Sequence, residues 1–256
     1  MKKTALLFAA PALGFGLVAL GAAPAMAADA TGSYAATLDQ LNNSGASGEV
    51  WIEVDGTTAT VMLNASGLAA EFDGNPYPHV QHIHIGAQGL CPSPGADTSG
   101  DGIISTTEGA PFYGDIGATL STGDADKSPA GALDLMAAPS GDTIAYEETF
   151  EIDQATQDSL AAGTAVVVVH GLDPATQPAG ATEPSDLVAE LPLAATSPAL
   201  CGALEVQPAG SVDTGVVSAA GTDASGAELG LLALGGMLAA TAVAGVFAVR
   251  RAASIN

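Results

Sequence analysis

A chain of 256 residues with 28 acidic and 5 basic side chains, formal charge −23, argues against nucleic acid or any other polyanion as a partner. All 28 acids fall between Asp29 and Glu228, where Lys127 is the one base, so that stretch carries −27. Such a surface attracts cations, and it also simply keeps an exported protein soluble. In chain order, Lys2 and Lys3, an apolar run to Leu20 and Ala25-Met26-Ala27 predict a secretory leader over 1–27. The roughly 180 residues of 28–206 are enough for one domain with a real core. Segment 32–38 is a plausible first strand. In 49–54, Val50, Ile52 and Val54 alternate with Glu49, Trp51 and Glu53, and Asp55-Gly56 turns the chain into a partner strand over 58–63. Further short β segments are predicted at 133–135, 143–152, 165–170 and 200–206, with a turn or two of helix over 154–162. No long apolar period of 3.6 residues interrupts this pattern. The reading is all-β, a sandwich or barrel of about seven or eight strands.

Beyond Val206 the composition turns to Gly, Ala, Ser, Asp and Thr, which predicts a flexible stalk over 207–228. Residues 229–249 carry no charge and would span about 31 Å as a helix, enough to cross a bilayer. Arg250 and Arg251 follow, which predicts a cytoplasmic tail over 250–256 and an extracytoplasmic body anchored by the C-terminal helix. Cys91 and Cys201 form an even pair, suited to a disulfide in an exported protein; two free buried thiols fit the count as well.

Chemistry concentrates in 78–108. In an extended strand His82 and His84 share one face, with Cα atoms roughly 7 Å apart, close enough to chelate one ion. Ile83 and Ile85 look core-facing, which puts the histidines on the outer face, where two solvated histidines fit the pattern equally well. Residues 97–108 follow the EF-hand calcium template: Asp97, Ser99, Asp101, the Ile103 carbonyl, Ser105 and Glu108 at the ligand positions, with Gly102 at the turn. An acidic surface loop without an ion is the alternative. No flanking helices are predicted.

Residues 34–68 followed by His79-Val80-Gln81-His82-Ile83-His84-Ile85-Gly86 resemble the chordin-type (CHRD) domain, over about 32–206. The chain also resembles the copper/zinc superoxide dismutase fold. His82-Ile83-His84 looks like its copper strand and Gly89-Leu90-Cys91 like the cysteine after it. Val166-Val167-Val168-Val169-His170-Gly171 is similar to a further copper-ligand strand, and Leu200-Cys201-Gly202 to the late half-cystine. The resemblance implies a Greek-key β-sandwich, a Cys91–Cys201 disulfide and copper on His82, His84 and His170. His79, on the opposite strand face from His82, is the remaining candidate for a fourth position. The departures are as informative. No histidine lies between His84 and His170, so the family's bridging and zinc histidines are missing, and no arginine precedes Cys201. Two functions follow: a membrane-anchored surface domain that binds copper and calcium without turnover, or an extracellular copper-only dismutase.

Overall fold

Strand β1 (Gly32–Gln40) is the seam of the molecule. Along one edge it pairs with β2 (Ser47–Asp55), which turns through Gly56, at φ +63°, into β3 (Thr58–Ser66). Val50, Ile52 and Val54 on β2 and Ala59, Val61 and Leu63 on β3 are all buried, so the alternation read from the sequence is the one that builds the core. The computed structural model describes residues 31–208. The leader 1–27, nearly all of the stalk, the span 229–249 and the tail lie outside them.

A small hairpin of β4 (Glu71–Phe72) and β5 (Asn75–Pro76) precedes β6 (Gln81–Ile85). A long loop then carries α1 (Thr106–Tyr113) and leads into β7 (Asp115–Thr119). The chain crosses to β8 (Thr143–Glu151), forms α2 (Gln154–Ala161), and returns through β9 (Val166–His170). After α3 (Leu193–Thr196) it ends in β10 (Pro198–Ala203) and β11 (Glu205–Gln207). The larger sheet is antiparallel throughout, in the order β7-β6-β9-β10-β1-β2-β3-β8, with β11 also on β1. The expected all-β fold is present, but as one curled sheet with open ends at β7 and β8. Two separate sheets do not form because β1 belongs to both halves: Ser33–Ala35 pair with β11, and Asp39 and Gln40 with β10.

Several boundaries differ from expectation. Residues 133–135 form no strand; they follow a 3-10 turn (Pro129–Gly131), and Leu133 is half exposed. Segment 200–206 is two strands broken at Leu204, whose N–H turns back to the Ala165 carbonyl. Gln207 belongs to β11 and not to the stalk. Strand β7 and helix α1 were not anticipated, and α1 contains Gly109 and Pro111, both poor helix formers.

Two layers of packing result. Ile83, Val167, Val169 and Leu200 face the main core. Val166, Val168 and Cys201 face outward, where Tyr113 of α1 packs on them in a second, smaller cluster. Strand β9 is therefore buried on both faces, consistent with its unbroken run of valines. This second layer is what covers the histidines.

Candidate metal centre

Strand β6 places His82 and His84 on its outer face, opposite Val168 and Val166 of β9. His170 ends β9 on the same face. The outer-face placement expected from Ile83 holds, but the side chains are not solvated: all three histidines are buried, at 2–3% exposure. Their ring centroids are 5.3, 5.6 and 6.0 Å apart, nearly an equilateral triangle.

Each ring has one nitrogen against a carbonyl and one with no partner. His84 Nδ1 lies 2.9 Å from the Gly114 carbonyl, His170 Nδ1 2.7 Å from that of Thr196, and His82 Nε2 3.3 Å from that of Ala132. A carbonyl only accepts, so these contacts fix the N–H on that side and leave a lone pair on the other nitrogen. His82 Nδ1, His84 Nε2 and His170 Nε2 are buried and make no hydrogen bond. One ligand nitrogen from each of the three residues lies within 4.8 Å of the others. Burying three such lone pairs unsatisfied is costly, and a cation bound by them removes that cost.

Burial pushes the His82 ring well below the usual imidazole range, reinforced by His170 and His84 and opposed by the Ala132 carbonyl. Burial likewise lowers His84 to about 4, against the Gly114 carbonyl, and His170 to about 3, with His84 adding to the shift and the Thr196 carbonyl opposing it. The rings are neutral at pH 7, the state a metal requires.

The cover comes from elements whose role the sequence did not reveal. The Tyr113 ring stands edge-on to His84, with centroids 4.6 Å apart, and its hydroxyl donates to the Thr106 carbonyl. Gly114 holds φ +94°, and a Cβ there would sit 1.9 Å from the Ile85 carbonyl oxygen, so only glycine brings this carbonyl to His84. Cys91 and Cys201 are disulfide-bonded, which ties the loop that carries α1 to β10.

The other expected ligands are placed differently. His79 is fully buried with both ring nitrogens engaged, Nδ1 2.9 Å from the His170 carbonyl and Nε2 2.9 Å from that of Ala69, so it brings no free nitrogen to the centre. In the 97–108 loop, Asp97 accepts from the Gly100 and Gly102 amides, and Asp101 from that of Ile103. Glu108 accepts from the amides of Thr98 and Ser99 on one oxygen and from Ser105 on the other, while Ser105 caps α1. Burial would raise its carboxyl, but these hydrogen bonds outweigh it and hold the group below its ordinary range. Among the described residues, the histidine triad is the group of metal-type side chains gathered within 4.8 Å.

The chain matches no protein-family model, so none supports either resemblance expected from the sequence, and it matches no curated protein. Among solved structures it is similar to Candida albicans superoxide dismutase 5 with Cu(II), at 13% identity over 73% of this chain and 99% of that one, TM-score 0.39. Two mutants of that dismutase give TM-scores of 0.37 at 13% identity, covering 73% of this chain and 99% and 96% of theirs.

Proposed function

We propose that this domain is a copper-binding module whose three-histidine centre holds the ion without turnover. The reading is carried by three buried imidazoles, each with a ligand nitrogen within 4.8 Å of the others and each with one ring nitrogen that has no hydrogen-bond partner. The donor set fits copper. It offers neutral nitrogen ligands with no carboxylate or thiolate, and among divalent ions affinity for such a set peaks at copper. Backbone carbonyls on the opposite nitrogens fix each ring's tautomer, as an outer shell does in metal sites. Bound copper would supply one-electron chemistry, but two features favour retention over turnover. The ligands are buried beneath α1 and the 129–140 loop. Lys127, the one base among the described residues, donates to the Ser121 and Gly123 carbonyls, so it is not free to draw in an anion. Dialysis of the purified domain against copper should leave about one ion per chain, and His84→Ala or His170→Ala, each keeping two of the three ligands, should retain markedly less. Superoxide dismutation near the diffusion limit, lost in the same variants, would make the domain an enzyme instead.

Calcium at 97–108 is a second proposal, supported by a helix that starts at the template's exit position and by the close packing of the loop about Asp97. An ion would have to displace the amides that now occupy Glu108. Saturable calcium should therefore raise the melting temperature in the parent and not in Asp97→Ala. Equal shifts in both would reduce the effect to general screening of acidic charge.

Display outside the membrane rests on the leader and the 229–249 span, and the disulfide fits an oxidising compartment. Alkaline extraction of membranes should leave the full chain in the pellet and release a chain truncated after Glu228. Release of both would remove the anchor.

A further inference from the structure

We infer that His79 is a positioning residue for the metal centre, acting through the main chain of His170, and not a fourth ligand. The inference rests on the copper reading above and names the residue that sets its geometry. His79 stands three residues ahead of His82, at the entry to β6. Its Nδ1 meets the His170 carbonyl at 2.9 Å, and the His170 amide donates to the carbonyl of the next residue, Val80, also at 2.9 Å. The 79–80 segment thus grips both main-chain polar groups of a ligand residue that ends its strand.

The same residue reaches two other parts of the cover. Its own amide donates to the Pro139 carbonyl at 2.8 Å, at the end of the loop whose Ala132 carbonyl lies against His82. Its Nε2 lies 2.9 Å from the Ala69 carbonyl, and the Tyr77 ring packs against it with centroids 5.1 Å apart. His79 is therefore held from four sides, while its hold on His170 is a direct contact.

Gly171 makes that contact possible. It holds φ +106°, and a Cβ there would lie 2.7 Å from His79 Nδ1 and 3.2 Å from Cε1. A side chain at 171 would push the imidazole off the His170 carbonyl. Small rotations of the His170 main chain swing its ring, so losing this contact should misplace one of three ligands. Outer-shell partners of this kind typically change metal affinity ten- to a hundredfold.

The test compares the parent with His79→Ala, His79→Gln and Gly171→Ala, using copper titration against a competing chelator and electron paramagnetic resonance. In His79→Ala, copper affinity should fall about ten- to a hundredfold while coupling to three nitrogens persists with altered hyperfine splitting. His79→Gln, which keeps a donor, should recover part of the loss, and Gly171→Ala should reproduce it with the imidazole still present. Loss of one nitrogen coupling in His79→Ala would make His79 a ligand and overturn the inference. Unchanged affinity and spectra in all three variants would overturn it too. If the parent takes up no copper, the copper reading fails by itself, and the His170 ring nitrogen resonances of the metal-free proteins decide the rest. Their displacement in His79→Gln and Gly171→Ala upholds the positioning role, and identical resonances remove it.

Discussion

Acidifying the metal-free domain from pH 7 to pH 4 is expected to cost on the order of 5 kcal/mol of stability. The source is the buried triad. Burial holds His170 at about 3 and His84 at about 4, and His82 is displaced in the same direction. In the unfolded chain the same rings titrate near 6.5. Between those values the unfolded chain binds protons that the native chain refuses. Stability is therefore full above about 6.5, falls as pH drops through the window, and levels off below about 3. Each of the two rings with a stated value contributes roughly 3 kcal/mol by pH 4. Domains of this size carry about 5–15 kcal/mol in all, so the loss brings a marginal one close to unfolding. Glu108 is held below its ordinary range and acts in the same direction, but its contribution is lost only below the ordinary carboxylate range, which leaves the upper part of the window to the histidines. Denaturant titrations at pH 7, 5.5 and 4.5 measure the slope. A double variant, His84→Leu with His170→Leu, should lose the part of the slope that these two rings supply and keep what His82 supplies. A parent no steeper than the double variant would mean the two rings are not buried as described.

Breaking the Cys91–Cys201 bond is expected to cost up to about 5 kcal/mol, the chain-entropy figure for closing so long a loop. The two residues are separated by 110 positions. Cys201 pairs with Val168 in the sheet and packs beneath Tyr113, while Cys91 lies in the loop ahead of α1. The bond thus fastens the second layer over the triad to the strand beneath it. Thiol titration of the denatured, unreduced protein should find no free thiol. The double variant Cys91→Ser, Cys201→Ser should unfold at markedly lower denaturant. Two free thiols, or an unchanged midpoint, would remove the bond from the account.

Where the sequence carried a local signal, the fold could be read from it. Alternation in β2 and β3 fixed both strands and their inward faces, and Asp55-Gly56 fixed the turn between them. His82 and His84 announced a shared face because a strand repeats every two residues. Their burial was not legible, since it depends on how α1 and the 129–140 loop pack over β6, and no local pattern in either specifies that. Helix α1 carries a local signal, the capping box Ser105-Thr106-Thr107-Glu108, but the same residues also fill the last positions of a calcium template. One stretch satisfies two patterns: one Glu108 oxygen closes the helix cap at Ser105, and the other takes the Thr98 and Ser99 amides of the loop. His79 was ambiguous for a related reason. A histidine beside two others invites a ligand reading, and only the carbonyls of Ala69 and His170, remote in sequence, show how its nitrogens are used. The joining of two sheet halves through β1 was equally hidden, because it depends on which part of β1 meets β10 and which meets β11.

The copper centre is tested most directly by electron paramagnetic resonance of the domain loaded with one equivalent of copper. The spectrum should show one copper species coupled to three nitrogens, with one coupling lost in each of His82→Ala, His84→Ala and His170→Ala and none lost in His79→Gln. A spectrum that the three triad substitutions leave unchanged would place the ion elsewhere and contradict the account.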